Sequence, residues 1–405
     1  MREEGEVREV CAPRSNIAFL KNHKCASSAV QNILFRYAEQ HNLQLALPDA
    51  SNYFGGGVRP FRSEFYTGSP WSKLGVNIFA IHTKWNHDEI AKIMPNNTVY
   101  VTIIRDPTSL FTSLFSYSQF QKRTGLTFDE FIQKTPVEGK RLVGYLGFNQ
   151  MAWDMGMIKE DINNITKVAR MVREASDHFD LVMIAEKMEE SLVLLAHLMC
   201  WPLSEVIVPK LNARSNKYHF NMSKEILNVL QEKQAPDHFI YNHFLKKFDS
   251  LVDAFGRERM AHQVSKLRKL TENLMTKCKL NKKPSVELTG INKPWSDMVE
   301  GYTVGNTTDK RCQRIAMTEL AIIRDLRDRQ HKEVIARFGL PNDPRLHALN
   351  IGAVPLVQLQ QEEEGQQKEE GNRVDTQYIP IPAGFSKLVS ISGNKTAGRV
   401  KKFGV

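Results

Sequence analysis

The fold is predicted from the stretch Asn16-Ile-Ala-Phe-Leu-Lys-Asn-His-Lys-Cys-Ala-Ser-Ser-Ala-Val-Gln-Asn-Ile-Leu-Phe35. Its apolar run 17–20 is typical of a buried β-strand. From position 30 onward, apolar residues recur three and four apart, which is typical of a helix with one apolar face. Ser27 or Ser28 suits the N-cap of that helix. The stretch therefore predicts a strand, a basic loop over 21–28 and a helix N-terminus. Such a unit suits a phosphate or sulfate because it offers free N–H groups and the positive end of a helix dipole.

The loop 21–28 contains Lys21, Lys24 and two hydroxyls but no glycine. A Walker A loop needs glycines so that its backbone can wrap around the phosphates, which disfavours a nucleotide kinase. For the segment taken alone, an ordinary turn with solvated lysines remains the alternative.

Three later apolar runs, 76–81, 99–104 and 181–185, are also predicted strands, and helical patterns lie between them. Strands that alternate with helices form a parallel sheet covered on both faces. We therefore predict an α/β fold with a central parallel sheet flanked by helices. Segments 223–280 and 316–338 are predicted to be helical. A long loop over 48–75 and an irregular segment over 281–312 are expected.

Two of these strands end at polar side chains, which would meet at one edge of the sheet. His82 follows the run 76–81, and Arg105 follows the run 99–104. Asp106 then suits an N-cap and Pro107 the first position of a helix that carries Ser113. Arg105 and a hydroxyl could hold a second phosphate. A pairing of Arg105 with Asp106 or a helix carboxylate is the alternative.

Composition narrows the partners of this chain. It has 405 residues and a net charge of +10 with 45 acidic residues, which favours an anionic ligand but falls short of a nucleic-acid signature. We predict no metal site, and no apolar run is long enough to span a membrane. Asn-x-Ser/Thr sequons favour a secretory compartment, and they occur at Asn96, Asn164, Asn221, Asn306 and Asn394.

Two anion sites on one sheet edge fit 3′-phosphoadenylyl sulfate, which carries a 5′-phosphosulfate and a 3′-phosphate. The segment 19–28 resembles the 5′-phosphosulfate loop of Golgi carbohydrate sulfotransferases, and Arg105-Asp106-Pro107 with Ser113 resembles their 3′-phosphate motif. The segments 11–36, 210–214 and 255–261 narrow the resemblance to the galactose-3-O-sulfotransferases. It extends over residues 11–335, and it implies a P-loop-like nucleotide-binding sulfotransferase fold that needs no metal.

The resemblance also implies roles for individual residues. The residues expected to bind the donor are Lys21, Asn22, Lys24, Cys25, Ala26, Ser27, Ser28, Arg105 and Ser113. Those expected to be catalytic are Lys24, which matches the family's catalytic lysine, His23, His82 and Lys21. Those expected to bind the acceptor are His82, Lys84, Trp85, Asn149 and Asp154; for Trp85 and Asp154 a structural role is equally open. A histidine is expected to be the base because it titrates near neutral pH. We favour His23 over His82 because its loop must touch the transferring group.

The expected acceptor is the 3-hydroxyl of galactose on galactosylceramide or a related galactolipid. N-acetyllactosamine glycans of glycoproteins, or a non-catalytic donor- or glycan-binding role, are the alternatives. The resemblance implies a Golgi lumenal, membrane-associated location, although this chain shows no anchor, and it leaves a homodimer open. The expected division is a stem remnant over 1–15, a sulfotransferase domain over 16–340 and a low-complexity, disordered tail over 341–405.

The cysteines bear on the same resemblance. Four of them match cysteine positions of the family and would suit two disulfides of undetermined pairing, namely Cys11, Cys200, Cys278 and Cys312. The fifth, Cys25, stands where the family is expected to carry threonine or glycine.

Overall fold

The computed structural model describes residues 11–136, 146–209 and 222–339. The segment 210–214, most of the expected stem and the expected tail lie outside these ranges. Predictions for them, and the division of the chain into domains, remain predictions.

Five parallel strands form the central sheet of the described residues, which confirms the predicted α/β class. In chain order they are β1 (Ile17–Leu20), β2 (Leu45–Ala46), β3 (Ile78–Phe79), β4 (Val99–Ile104) and β5 (Leu181–Ile184). Their spatial order is β2-β3-β1-β4-β5, so β1 lies between β3 and β4. Every residue of β1 is buried, as its unbroken apolar run predicts.

Helices cover both faces of the sheet and confirm most of the predicted helical segments. They are α1 (Ser27–Gln40), α2 (Glu64–Thr67), α3 (His87–Ala91), α4 (Pro107–Tyr117), α5 (Phe120–Thr124), α6 (Phe128–Lys134), α7 (Gln150–Asp154), α8 (Ile165–His178), α9 (Met188–Met199), α10 (Lys224–Lys233), α11 (Ala235–Phe255), α12 (Arg257–Lys277), α13 (Lys310–Ala316) and α14 (Glu319–Phe338). None of the helices in the described ranges is long and apolar enough to cross a membrane.

Two predicted segments agree with the structure only in part. The run 76–81 contributes only the two residues of β3, because the following backbone bonds to the loop 48–75 instead: Phe54 N donates to His82 O and Phe61 N to Lys84 O. The segment 281–312 is not wholly irregular, since β6 (Asn281–Pro284) and β7 (Glu300–Thr303) form an antiparallel hairpin. The residues of β6 are mostly exposed and lack apolar alternation, so pairing with β7 carries no local signal.

The two predicted N-caps had different outcomes. Asp106 caps α4 by accepting a hydrogen bond from Ser109 N at 2.8 Å, and Pro107 is the first helical residue, as predicted. For α1 the prediction was wrong, because Ala26 holds the N-cap position in a left-handed conformation. The hydroxyl of Ser27 instead donates to the carbonyl oxygen of Asn22 at 2.6 Å, which closes the basic loop.

Two disulfides form, Cys11–Cys200 and Cys278–Cys312, which confirms the expected number and settles their pairing. Cys25 is a buried free thiol, and burial raises its pKa well above the ordinary value. Its Sγ donates to the carbonyl oxygen of His23 at 3.3 Å, so this side chain packs beneath the loop.

Candidate active site

The predicted site residues converge at the carboxyl edge of the sheet, where α/β proteins bind their ligands. The basic loop follows β1, His82 follows β3, and Arg105 follows β4. Because β3 and β4 flank β1, both neighbours lie beside the loop. The convergence expected from the strand ends is confirmed.

Side-chain hydrogen bonds hold the glycine-free loop in place. Lys24 and Ala26 adopt left-handed conformations with φ of 57° and 59°, which non-glycine residues seldom do. Asn22 Nδ2 donates to Thr102 Oγ1 and to Ile103 O, both at 3.0 Å on β4. Arg105 Nη1 donates to Lys24 O at 3.0 Å. The loop is therefore tied to β4 on one side and leads directly into the N-terminus of α1.

His23 is held by the carboxylate of Asp154, whose side chain is almost fully buried. His23 Nδ1 lies 2.8 Å and 3.0 Å from the two carboxylate oxygens, and His23 N donates to Oδ2 at 2.8 Å. A carboxylate accepts hydrogen bonds, so Nδ1 of the neutral ring carries the proton and Nε2 is the acceptor. Nε2 faces the hydroxyl of Tyr53 at 3.1 Å. The pair has the geometry in which an aspartate orients a histidine base.

His82, the other candidate base, has both ring nitrogens bonded to Lys21. Nδ1 lies 3.1 Å from the carbonyl oxygen of Lys21, which only accepts, so Nε2 accepts from Lys21 Nζ at 2.6 Å. Burial, together with the charge of Lys21, holds the pKa of His82 well below its usual value. His82 is thus a neutral ring whose acceptor atom is already engaged, whereas His23 offers its acceptor atom to a hydroxyl.

Lys21 is 1% exposed and lies between His82 and a carboxylate of α14. Its Nζ is 2.7 Å from Glu319 Oε2 at the start of α14. The other oxygen of Glu319 accepts from Asn52 Nδ2 at 3.2 Å. Burial lowers the pKa of Lys21, and Glu319 opposes that change.

Three near-parallel rings pack together in the site. The centroid of His82 lies 4.8 Å from that of Tyr53 and 4.3 Å from that of His23, with interplanar angles of 12° and 19°. Tyr53 and His23 are neighbours as well, with centroids 5.9 Å apart. Sequence reasoning did not identify Tyr53 or Glu319. The length of the loop 48–75 was a general signal of function, but no motif marked either residue.

The residues expected to bind the donor surround this centre. The Nζ of Lys24 lies 3.3 Å from the centroid of the Tyr117 ring, which in turn contacts Trp295 from the β6–β7 connection. Arg105 is half-buried, with Nε 3.8 Å from Glu186 Oε1, so the carboxylate contact weighed as an alternative does occur. Ser113 is buried on α4, and Ser28 is half-buried on the first turn of α1.

Three further residues expected to bind the acceptor are buried. Lys84 is 3% exposed, with its Nζ 3.6 Å from the centroid of the Trp153 ring. Trp85 is buried against Phe179, and Asn149 is 0% exposed with its amide donating to Lys233 O at 3.0 Å. Trp85 and Asn149 are therefore both buried, and their role in binding the acceptor remains a prediction.

Asp154 reaches His23 because α7 is anchored to α11. Asp237, which is fully buried on α11, accepts from Met151 N at 3.0 Å and from Ala152 N at 2.9 Å. Gln150 Nε2 donates to Asp154 Oδ1 at 2.8 Å. The short helix therefore presents Asp154 in a fixed orientation.

We expect Asp237→Asn to lower the free energy of unfolding by about 2 kcal/mol, because an amide N–H₂ would face one of the two backbone N–H donors. Urea unfolding followed by circular dichroism measures the change. Asp253→Asn, on the exposed face of the same helix beside Arg257, is the matched control and should cost less than about 1 kcal/mol. Equal costs for the two variants would contradict the anchoring role of Asp237.

The site combines a basic loop at a helix N-terminus, an arginine at the end of the neighbouring strand β4 and a carboxylate-held histidine, which are features expected of a group-transfer enzyme with an anionic donor. The family model for galactose-3-O-sulfotransferase matches residues 4–330. Galactosylceramide sulfotransferase of Homo sapiens is 32% identical over 350 residues, which cover 80% of this chain and 81% of the relative. The chain belongs to the galactose-3-O-sulfotransferase family, which confirms the resemblance and makes it a sulfotransferase.

Other relatives carry a broader name. Galactose-3-O-sulfotransferase 3 of Mus musculus is 32% identical, with 75% of each chain covered. Galactose-3-O-sulfotransferase 2 of Mus musculus is 32% identical, with 76% of this chain and 83% of the relative covered. Because this chain is about equally identical to relatives with different names, identity alone does not assign its acceptor.

Among residues 11–136, 146–209 and 222–339, the structure has no group of three or more histidine, cysteine or acidic side chains arranged to hold a metal ion.

Proposed function

We propose that this protein transfers the sulfuryl group of 3′-phosphoadenylyl sulfate to the 3-hydroxyl of a galactose residue, on galactosylceramide or a related galactolipid. The observation that carries the proposal is the His23–Asp154 pair beside the basic loop. Its acceptor nitrogen, Nε2, faces a hydroxyl in the structure as it stands. A hydroxyl of the acceptor would be bound in the same way.

The donor would lie along the carboxyl edge of the sheet. The backbone of the loop, Lys24 and the hydroxyl of Ser28 would hold the 5′-phosphosulfate at the N-terminus of α1, while the Ser27 hydroxyl, which donates to Asn22 O, would fix the shape of the loop. Arg105 and Ser113 would hold the 3′-phosphate. Arg105 suits this role because its contact with Glu186 is long and half-exposed, so a phosphate offers it stronger, bidentate bonding.

The reaction would be an in-line displacement at sulfur. The acceptor oxygen forms the new O–S bond while its proton passes to His23 Nε2. The bond between sulfur and the bridging oxygen breaks, and its electron pair leaves with 3′-phosphoadenosine 5′-phosphate. Lys24 stabilises the charge that develops on the leaving group, and Asp154 stabilises the imidazolium that forms on His23.

The galactolipid acceptor is supported by the relative named galactosylceramide sulfotransferase, which matches across 81% of its length. The relatives named galactose-3-O-sulfotransferase 2 and 3 support a second candidate, N-acetyllactosamine glycans.

We also propose a Golgi lumenal, membrane-associated location. Two disulfides support it, because they persist in oxidising compartments.

Transfer of labelled sulfate from 3′-phosphoadenylyl sulfate to a matched panel of acceptors tests the proposal. The panel holds galactosylceramide, lactosylceramide, N-acetyllactosamine, a uronic-acid polymer and a blank without acceptor. We expect label on the galactolipids. Label only on N-acetyllactosamine would replace the acceptor by the second candidate. Donor binding without transfer to any acceptor would overturn the enzymatic proposal.

A further inference from the structure

The ammonium group of Lys21 is buried within the site and bridges two parts of the chain. Its Nζ lies 2.6 Å from His82 Nε2 and 2.7 Å from Glu319 Oε2, and the side chain is 2% exposed. An ammonium has three N–H donors, and these two partners take two of them. Glu319 is the one carboxylate within hydrogen-bonding distance of Lys21 among the described side-chain contacts, although it lies 298 positions further along the chain.

The charged and titratable groups around Lys21 come from several elements. Glu319 faces it from α14, Asp154 acts on it from α7, and His82 contacts it after β3. His23 and Lys24 belong to the same loop and, like Lys21, act electrostatically on His82. A buried ammonium without a carboxylate partner readily loses its proton. Glu319 is therefore the group that opposes burial most strongly at this position.

We propose that Glu319 is a positioning residue for the transfer reaction: it keeps Lys21 protonated and directed at His82, and thereby holds the His82 ring flat against His23. The inference rests on the proposed function. His82 cannot turn while Lys21 contacts it through both Nζ and its carbonyl oxygen, and the fixed ring lies 4.3 Å from that of His23. The base is thus supported by Asp154 on its edge and by His82 on its face.

A second contact distinguishes Glu319 from the carboxylate of an ordinary surface ion pair. Its Oε1 accepts from Asn52 Nδ2 at 3.2 Å, next to Tyr53, whose ring stacks on His82 with centroids 4.8 Å apart. The Glu319 side chain is 17% exposed, whereas both partners of the Lys283–Glu287 pair are at least 40% exposed. Glu319 therefore joins α14, the loop 48–75 and the loop after β1 at one point.

The pH dependence of Glu319→Gln distinguishes this role from a purely structural one. Without the carboxylate, the pKa of Lys21 falls further. When the pH is raised, Lys21 of the variant therefore loses its proton at a lower pH than Lys21 of the wild type. We expect the ratio of variant kcat to wild-type kcat to be highest at the acid end of the activity range and to fall as pH rises, by up to about tenfold for each unit by which the pKa of Lys21 is lowered. A variant-to-wild-type ratio that is the same at every pH would overturn the inference.

Two further variants keep the test sharp. Glu300→Gln removes a glutamate paired with Lys282 on the β6–β7 hairpin and should follow the wild-type pH profile. Glu319→Asp keeps the charge but moves it away from Lys21 Nζ, so the basic limb of its pH profile should move to lower pH by less than that of Glu319→Gln. If thermal melting shows that Glu319→Gln does not fold, the dependence of kcat on pH in Glu319→Asp replaces it as the test. A fall of kcat that begins at lower pH than in the wild type supports the inference, whereas a loss of activity that is the same at every pH opposes it.

A measurement without turnover separates failure of this inference from failure of the proposed function. Nitrogen-15 NMR of the histidine rings reports the Nε2 atom of His82, which senses the charge of Lys21. We expect the resonance to change at a lower pH in Glu319→Gln than in the wild type, whatever acceptor the enzyme uses. Identical His82 titrations would overturn the inference even if the wild type is active. A wild type inactive on every acceptor would overturn the proposed function alone.

Discussion

Lys24→Ala is expected to lower kcat for sulfuryl transfer by about 10²- to 10³-fold while the protein remains folded. Removal of one group that stabilises developing charge in a transition state has an effect of this size. Lys24 is half-buried in a left-handed position of the loop, and its ammonium lies over the ring of Tyr117. This cation–π contact orients the ammonium in the loop, from which it would reach the leaving nucleotide.

Single-turnover transfer of labelled sulfate measures this effect on the chemical step apart from donor binding. The matched control is Lys92→Ala, which removes an exposed lysine paired with Glu89 and should leave kcat unchanged. Lys24→Arg keeps the charge but not the compact ammonium, and we expect it to recover only part of the rate. A Lys24→Ala enzyme within about threefold of the wild-type kcat would contradict the leaving-group role.

The second large effect is expected from His23→Ala, which should lower kcat by about 10²- to 10⁴-fold because the acceptor hydroxyl loses its base. Asp154→Asn should also lower kcat strongly. An amide can donate to Nδ1, which favours the tautomer that places the proton on Nε2, the atom that must accept it. The double variant should be little worse than His23→Ala, since the two side chains act as a unit.

The choice between the two histidines is decided by the same experiment. His262→Ala removes an exposed histidine on α12 and serves as the control. A near-normal kcat in His23→Ala would contradict the assignment of His23 as the base, and His82 would then take its place. An effect of Asp154→Asn that persists in full in the double variant would show that Asp154 acts on something other than His23.

The two histidines show why residue type alone does not assign a role. Both follow adjacent strands and their rings are stacked, but their hydrogen-bond partners differ. A carboxylate fixes His23 so that Nε2 points at a hydroxyl. A backbone carbonyl fixes His82 so that its Nε2 accepts from an ammonium. Each tautomer follows from what surrounds the ring, and that environment is assembled from segments distant in sequence.

The amino-acid sequence by itself determined the elements whose signals are local. The run 17–20 with the helix after it, the buried strand β4 and the Asp106–Pro107 start of α4 all follow from hydrophobic period and capping chemistry within a few residues. Placement of the basic loop, His82 and Arg105 at one sheet edge also follows, because parallel strands end together. These features sufficed to predict the fold class and the sheet edge at which the candidate site residues meet, whereas the family was predicted from the resemblance of short segments to known motifs.

Only the tertiary structure decided which partner each site residue has. Asp154 holds His23, and Glu319 reaches Lys21 from a helix at the other end of the described chain. The Tyr53 ring stacks on that of His82. Trp85 and Asn149 proved to be interior residues, and β6 and β7 paired without a local signal. Contacts of this kind depend on distances between segments that the folded core brings together, and no periodicity or motif within either segment encodes such a distance.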